Sequence, residues 1–296
     1  MAVSRFSRLF FISLAPVQAF VASGVGILMQ NRLSSSTVDS CEGESASFRI
    51  LCLHGKGGNG EEFLERLLPL RTLLNDRLVA NNGKKRSEVS NNVVSIKWEA
   101  LTAPYQISVM DDAYAWWTMS PGVRSFNADE YIGFDDSASK VIKAVFPTDS
   151  AAVEECRYDL ILGHSQGAIL LSALLATNID LQRSNCSYIL NGAAWPNPYE
   201  NALTSLSEEQ THELKKDTRM LFVMGKRDNI NPIESAKQVY GCYQTAGLDV
   251  SIIYHEGGHS VPIGGDLDSE RAMGDVCDFI LQTVSEKGKQ IVDTTV

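Results

Sequence analysis

The sequence is poor in cysteine, and none of it is closely paired. The six cysteines, at positions 41, 52, 156, 186, 242 and 277, form no CxxC pair and no Cys/His cluster. A structural zinc site needs such spacing, so no metal is expected. A disulfide framework is not expected in a chain of 296 residues, although one isolated bridge stays compatible with the spacing. Cys52, inside Leu51-Cys52-Leu53, reads as a small core residue. Positive charge is also short. Lys and Arg number 26 against 36 Asp and Glu, a net charge of −10. Arg5, Arg8 and Arg32 against Asp39 leave the first forty residues positive, so the remainder is more acidic still. Such a body excludes nucleic acid and anionic membrane as main partners. It also disfavours a highly anionic substrate, unless a local basic pocket exists. There is no internal repeat. Past the N-terminal segment no stretch is long and apolar enough to cross a bilayer. What remains, 44% hydrophobic and 21% charged, is an ordinary globular composition. It suffices for one core of about 240 residues.

Residues 1–40 read as a targeting leader. Met1 to Arg8 carries two arginines, Leu9 to Phe20 is mostly apolar, and Val17-Gln18-Ala19 is a small-residue cleavage pattern. Together they predict a signal peptide over about 1–19. Phe20 to Val38 has no acid and contains Ser34-Ser35-Ser36-Thr37, a transit-like composition that gives a possible transit segment over 20–40. The two parts resemble the bipartite leader of algae with complex plastids. The expectation is therefore a secretory or plastid route. A mitochondrial leader fits nearly as well, and a cytoplasmic location follows if the leader does not function. The folded domain is expected over 45–290.

Across that domain strands and helices alternate. Strands are predicted at Phe48–Leu53, Val93–Ile96, Tyr158–Leu162, Tyr188–Leu190, Met220–Met224 and Val250–Tyr254. Helices are predicted at Glu61–Leu78 (with Pro69 a kink or break), Asp135–Phe146, Ala168–Ala176, Ser207–Lys216, Pro232–Ala246 and Ala272–Val284. The stretch 102–134 reads as irregular and aromatic. Apolar strands separated by helices imply an α/β fold with a mostly parallel sheet covered on both faces. Ligands gather at the carboxyl ends of such strands, so polar residues there are the candidates.

Gly163-His164-Ser165-Gln166-Gly167 lies between a buried strand and a helix with almost no polar face. That is the setting of a nucleophile elbow. Glycines at the outer positions leave room for a tight crossing, and the serine hydroxyl is presented at the top of the sheet. The backbone N–H of Gln166 is expected to face a developing oxyanion. A hydroxyl nucleophile needs a base and an acid, here in the chain order Ser, acid, His. His212 is on a polar helix and reads as solvated. His255 and His259 bracket His255-Glu256-Gly257-Gly258-His259 after the last strand, whose glycine pair lets the chain turn back. His259 is the expected base, and His255, nearer the strand end, reads as structural. Asp228, in Gly225-Lys226-Arg227-Asp228 after the strand 220–224, is the expected acid. Asp217 lies on the wrong side of the sheet, and Glu234 lies within a helix.

The first strand ends in Leu53-His54-Gly55-Lys56-Gly57, a turn expected to supply a second oxyanion N–H from Lys56 or a neighbour. The same loop is a formal GxGxxG, Gly55 to Gly60, with Asp76 beyond it. A dinucleotide site would need its acid at the end of a second strand, and Asp76 falls in or just after the first helix. That reading also leaves Ser165, Asp228 and His259 unexplained. No GK[ST] follows, so the loop is not a P-loop.

These residues resemble a known family, the fungal-type serine hydrolases, related to the human ovarian-cancer-associated hydrolase and to polyketide-releasing thioesterases. The matching pieces are Ile50 to Gly55, Gly60, Trp116-Trp117, Leu162 to Ala168, Gly225 to Asp228 and His255 to Pro262. The resemblance implies a compact α/β-hydrolase fold without a large cap domain, acting on carboxylic esters or thioesters. By motif it assigns the nucleophile to Ser165, the acid to Asp228 and the base to His259. The chain departs from the family at Lys56-Gly57-Gly58, where a bulkier residue is usual. Trp116, Trp117 and Trp195, with His54, are expected at a pocket for an acyl chain. No cofactor is needed for the two-step acyl transfer this implies. The expected partner is a small-molecule ester or thioester, with no nucleic acid. Two other readings stay open on residues alone: a catalytically silent binding protein on the same fold, and a peptidase.

Overall fold

In a computed structural model, the residues described are 47–84, 95–147, 156–206 and 218–293. The leader and the expected helix Ser207–Lys216 lie outside them. Six strands form one sheet: β1 (Ser47–Leu53), β2 (Ser95–Leu101), β5 (Leu160–His164), β6 (Ser187–Asn191), β7 (Arg219–Gly225) and β8 (Asp249–His255). The order is β2-β1-β5-β6-β7-β8, and every neighbouring pair is parallel. Side chains alternate between two cores. Phe48, Ile50 and Cys52 of β1 join Leu160, Leu162, Ile189, Leu221 and Val223 on one face. Leu51 and Leu53 join Ile161, Leu190, Phe222 and Met224 on the other. Burial on both faces explains why these strands are continuous apolar runs.

The first core is closed by α1 (Gly60–Arg66), α2 (Leu68–Lys84) and the last helix, α8 (Leu267–Asp293). The second is closed by α3 (Phe134–Val145), α4 (Gln166–Thr177) and α7 (Ile233–Thr245), with short α5 (Ile179–Arg183) and α6 (Glu200–Thr204) at its edge. α4 buries every residue from Gln166 to Leu175, which accounts for its missing polar face. Among the described residues, no helix is long and apolar enough to cross a membrane.

Three details differ from the sequence expectation. The helix expected over Glu61–Leu78 is two helices broken at Leu67. Pro69 sits in the first turn of α2, where a missing N–H removes no helical bond. The stretch 102–134 is not wholly irregular. It holds an antiparallel pair, β3 (Tyr105–Ser108) and β4 (Ala113–Ala115), with a register shift between Gln106 and Ser108. The strand expected at Val93–Ile96 is described from Ser95 and runs on to Leu101.

β2 lies on one side of β1, and the chain returns on the other side for β5. The order therefore reverses between β1 and β5. Ligand crevices open at such switch points, outside the carboxyl ends of the strands. The β1 loop and the residue after β5 meet there.

Candidate active site

Ser165 follows β5 and immediately precedes α4. Its backbone is at φ 53, ψ −117, a strained conformation for a residue with a side chain. The surrounding contacts impose it. A Cβ on Gly163 would lie 2.6 Å from the Gly167 carbonyl oxygen, and one on Gly167 would lie 2.3 Å from that of Leu53. The two glycines are thus what let β5, α4 and β1 cross so closely. Ser165 N–H donates to the Asn191 carbonyl at 2.9 Å, tying the elbow to β6.

Around this serine the structure brings together His259 and Asp228. His259 Nε2 is 2.7 Å from Ser165 Oγ, and His259 Nδ1 is 2.6 Å from Asp228 Oδ2. Asp228 is held from its other side as well. Its Oδ1 accepts from the N–H groups of Ile230 and Asn231, each at 2.9 Å. Burial pushes the carboxyl pKa up, but the hydrogen bonds from His259 and these N–H groups outweigh it and hold it below the usual carboxylate range. The two loops that carry Asp228 and His259 are locked to each other. Lys226 N–H donates to the His255 carbonyl at 2.8 Å, and Arg227 N–H to that of Gly257 at 3.0 Å. Gly225 has no room for a side chain, since a Cβ would meet Gly258 O at 2.2 Å. His255 is the buried last residue of β8 and serves this junction.

The turn after β1 packs directly on the elbow. A Cβ on Gly55 would lie 3.0 Å from Ser165 Cβ. Gly55 to Gly58 close a turn through Gly58 N–H to Gly55 O at 3.3 Å, with Gly57 at φ +87. A turn with φ > 0 at its third position favours glycine there. That is the physical content of the Lys56-Gly57-Gly58 departure. Gly57 N–H and Gly58 O also pair with the backbone of Tyr114, at 2.8 and 3.0 Å. Among the described residues, neither the Lys56 nor the Gln166 backbone N–H is paired with a backbone acceptor. The Gln166 side chain looks away from the cleft. It accepts from Trp116 N–H at 3.0 Å and donates to the Trp117 carbonyl at 3.1 Å.

A cavity of about 200 Å³ opens beside the serine, lined by the turn from His54 to Asn59, by Glu62, Phe63 and Arg66 of α1, and by His164, Ser165 and His259. The expectation of an aromatic wall is corrected here. Trp116 and Trp117 are fully buried and line none of it. Trp116 Nε1–H donates to the His54 carbonyl at 2.7 Å, and Trp117 stacks on Tyr131 with centroids 4.3 Å apart. Trp195 packs against the second core and donates its N–H to Ser235 Oγ at 2.7 Å. His54 borders the cavity, but both its ring nitrogens are engaged. Nε2 accepts from Ala103 N–H at 2.9 Å, so Nδ1 carries the proton and donates to Gly55 O at 2.7 Å. Burial lowers its pKa. His54 and Trp116 brace the turn from behind. Asp76, which a dinucleotide site would need, is exposed on α2.

Two neighbours were not singled out from the sequence. His164 is buried, stacked on Phe63 and 5.1 Å from the His259 ring. Asn191 Nδ2 donates to His164 Nδ1 at 2.8 Å and to the Ser260 carbonyl at 3.3 Å. An amide NH₂ only donates, so the His164 proton sits on Nε2. Burial, and then the nearby His259, push its pKa down to about 3. Asn231 Nδ2, likewise not singled out, ties the Asp228 loop to Gly192 O at 2.7 Å. Asn191 is the last residue of β6, the one signal that marks it, while Asn231 lies in the loop between β7 and α7.

A parallel sheet with a serine elbow at its switch point, hydrogen-bonded to a histidine that an aspartate holds in turn, both after later strands, defines an α/β-hydrolase-like protein. The family model described as "Serine hydrolase (FSH1)" matches residues 44–269, and the chain belongs to that family. Among curated relatives, it is 29% identical over 225 residues to "Esterase OVCA2" of Danio rerio, covering 72% of this chain and 90% of the relative. It is 26% identical over 223 residues to "Hydrolase phiM" of Fungal sp. (strain ATCC 74256), covering 72% and 86%. Two solved structures share the fold. Esterase PE8 has a TM-score of 0.52 at 15% identity, covering 81% of this chain and 94% of its own. Zea mays acyl-protein thioesterase 2 has a TM-score of 0.51 at 17% identity, covering 82% and 96%.

Proposed function

We propose that this serine hydrolase cleaves carboxylic esters or thioesters through a covalent acyl intermediate on Ser165. The observation that carries the reading is the unbroken hydrogen-bond chain from Ser165 Oγ through both nitrogens of His259 to Asp228. In the first step Ser165 Oγ attacks the acyl carbonyl while His259 Nε2 takes its proton. Asp228 accepts from Nδ1–H, fixing the tautomer that leaves Nε2 free as base, and stabilises the imidazolium that forms. The N–H groups of Gln166 and Lys56 receive the oxyanion. His259 then protonates the leaving alcohol or thiol. Water, deprotonated by the same imidazole, repeats the sequence on the acyl-enzyme. The names of the relatives agree with this reading: an esterase among the curated proteins, and an esterase and a thioesterase among the folds.

The cavity adds a preference. Sites for drug-sized ligands span about 300–1,000 Å³, and this one encloses about 200 Å³. It therefore holds a short acyl group, with the rest of the substrate outside. Hydrolysis of p-nitrophenyl esters from acetate to palmitate, beside the matching acyl-thioesters, tests both points. Turnover that is highest among the short chains is expected. A folded protein that turns over neither class, at any chain length, would sink the proposal.

A further inference from the structure

Cys156 and Cys186 play no part in the chemistry at Ser165, yet the fold sets them face to face. Cys156 lies four residues before β5, and Cys186 directly precedes β6. These strands are neighbours and parallel, with Leu160 opposite Ser187. Both thiols consequently fall at the amino-terminal edge of the sheet, the edge away from Ser165. Their Sγ atoms are 2.9 Å apart. Both contact one acceptor, the Tyr158 carbonyl, at 3.0 Å from Cys156 and 2.7 Å from Cys186. Cys186 is buried, while Cys156 is only partly so, which makes Cys156 the more accessible member of the pair.

We propose that Cys156 and Cys186 are a dithiol site that closes to an intramolecular disulfide on meeting a low-molecular-weight disulfide. The Cys156 thiolate attacks the small disulfide, forms a mixed disulfide and releases one small thiol. Cys186 then attacks Cys156 Sγ and expels the second. In sum, two protein thiols lose two hydrogens and are oxidised, and one small disulfide is reduced to two thiols. The hydrogen bond from Cys186 favours the thiolate of Cys156, and Lys287 adds to this from nearby. Burial keeps Cys186 protonated until its partner has reacted.

The bridge would join positions 30 apart in sequence. It encloses β5, the elbow, α4, α5 and the approach to β6. A cross-link of that span restricts the unfolded chain, so the oxidised protein is expected to melt several degrees above the reduced one.

The test uses the full chain, reduced and then incubated with oxidised glutathione. The expected result is an intact mass lower by two hydrogens, one cross-linked peptide pair joining Cys156 to Cys186, reversal by dithiothreitol, and a higher Tm while oxidised. Cys156→Ser is expected to abolish the mass change, and Cys242→Ser to leave it. Should Cys156→Ser fail to fold, peptide mapping of the wild type decides alone. A glutathione adduct that persists on Cys156 with Cys186 still free, or no change in mass, overturns the site. An oxidised form that melts no higher overturns the clamp.

Discussion

Asp228 has three hydrogen-bonding demands and two carboxylate oxygens to meet them. One oxygen serves His259, and the other serves the N–H groups of Ile230 and Asn231. Asp228→Asn keeps the second set, because an amide oxygen can still accept there. Its NH₂ then faces His259 Nδ1 and forces the wrong tautomer. The expected outcome is a folded protein whose kcat falls on the order of 10⁴-fold, as in triads generally, read from steady-state ester hydrolysis beside a circular dichroism spectrum. Unchanged kcat would remove Asp228 from the mechanism. At this scale the sequence was informative where a polar side chain falls after a strand in the chain order Ser, acid, His. Ser165, Asp228 and His259 were legible for that reason. Trp116, Trp117 and Trp195 were not, since an aromatic residue satisfies a pocket wall and a packed core equally well. His164 and Asn191 escaped notice because what defines them is a partner 27 residues away.

The elbow is a property of three elements, β1, β5 and α4, rather than of one motif. Gly167 faces the Leu53 carbonyl, where a Cβ would stand 2.3 Å away. A backbone atom cannot swing aside as a side chain can, so β1 and α4 must part. Gly167→Ala is expected to lower stability by about 1–3 kcal/mol or more, the usual range for overpacking. Gly241→Ala, on α7 with nothing within 4 Å of the added carbon, is the control. It is expected to be neutral or stabilising by up to about 1 kcal/mol. Urea midpoints of the two variants check this, and equal midpoints would contradict the crossing argument. Most elements were legible because buried strands and an apolar helix leave unmistakable runs. The β3–β4 pair was not. Its strands are four and three residues long, and the register shift breaks the alternation that would reveal it.

The whole molecule carries a pH dependence that no single element shows. Burial is the largest cause of lowered pKa values at His54, His164 and His255. In the folded state these rings resist protonation, while in the unfolded chain they take up protons below about pH 6.5. Between the folded and unfolded values the unfolded state binds more protons, so stability falls as pH falls. For His164 that window runs from about 6.5 down to about 3, with a slope of up to about 1.4 kcal/mol per pH unit. Asp228 acts in the same direction but lower, its contribution being lost as pH drops through its depressed value. Thermal melts from pH 8 to 4.5 are therefore expected to show a falling Tm, with a shallower fall in His164→Gln. Identical slopes would contradict the buried neutral imidazole. Strand order is the one global feature no local pattern held. Alternation implied a parallel sheet, but the reversal between β1 and β5, which brings the Lys56 turn against Ser165, depends on contacts far apart in sequence.

That Ser165 Oγ is the nucleophile that takes up the acyl group is tested most directly by the rate of p-nitrophenyl ester hydrolysis in the wild type and in Ser165→Ala. Both proteins are expected to share one circular dichroism spectrum and Tm. The variant should retain only a residual rate, lower by a factor on the order of 10⁴–10⁶. Equal rates in the two proteins would contradict the account.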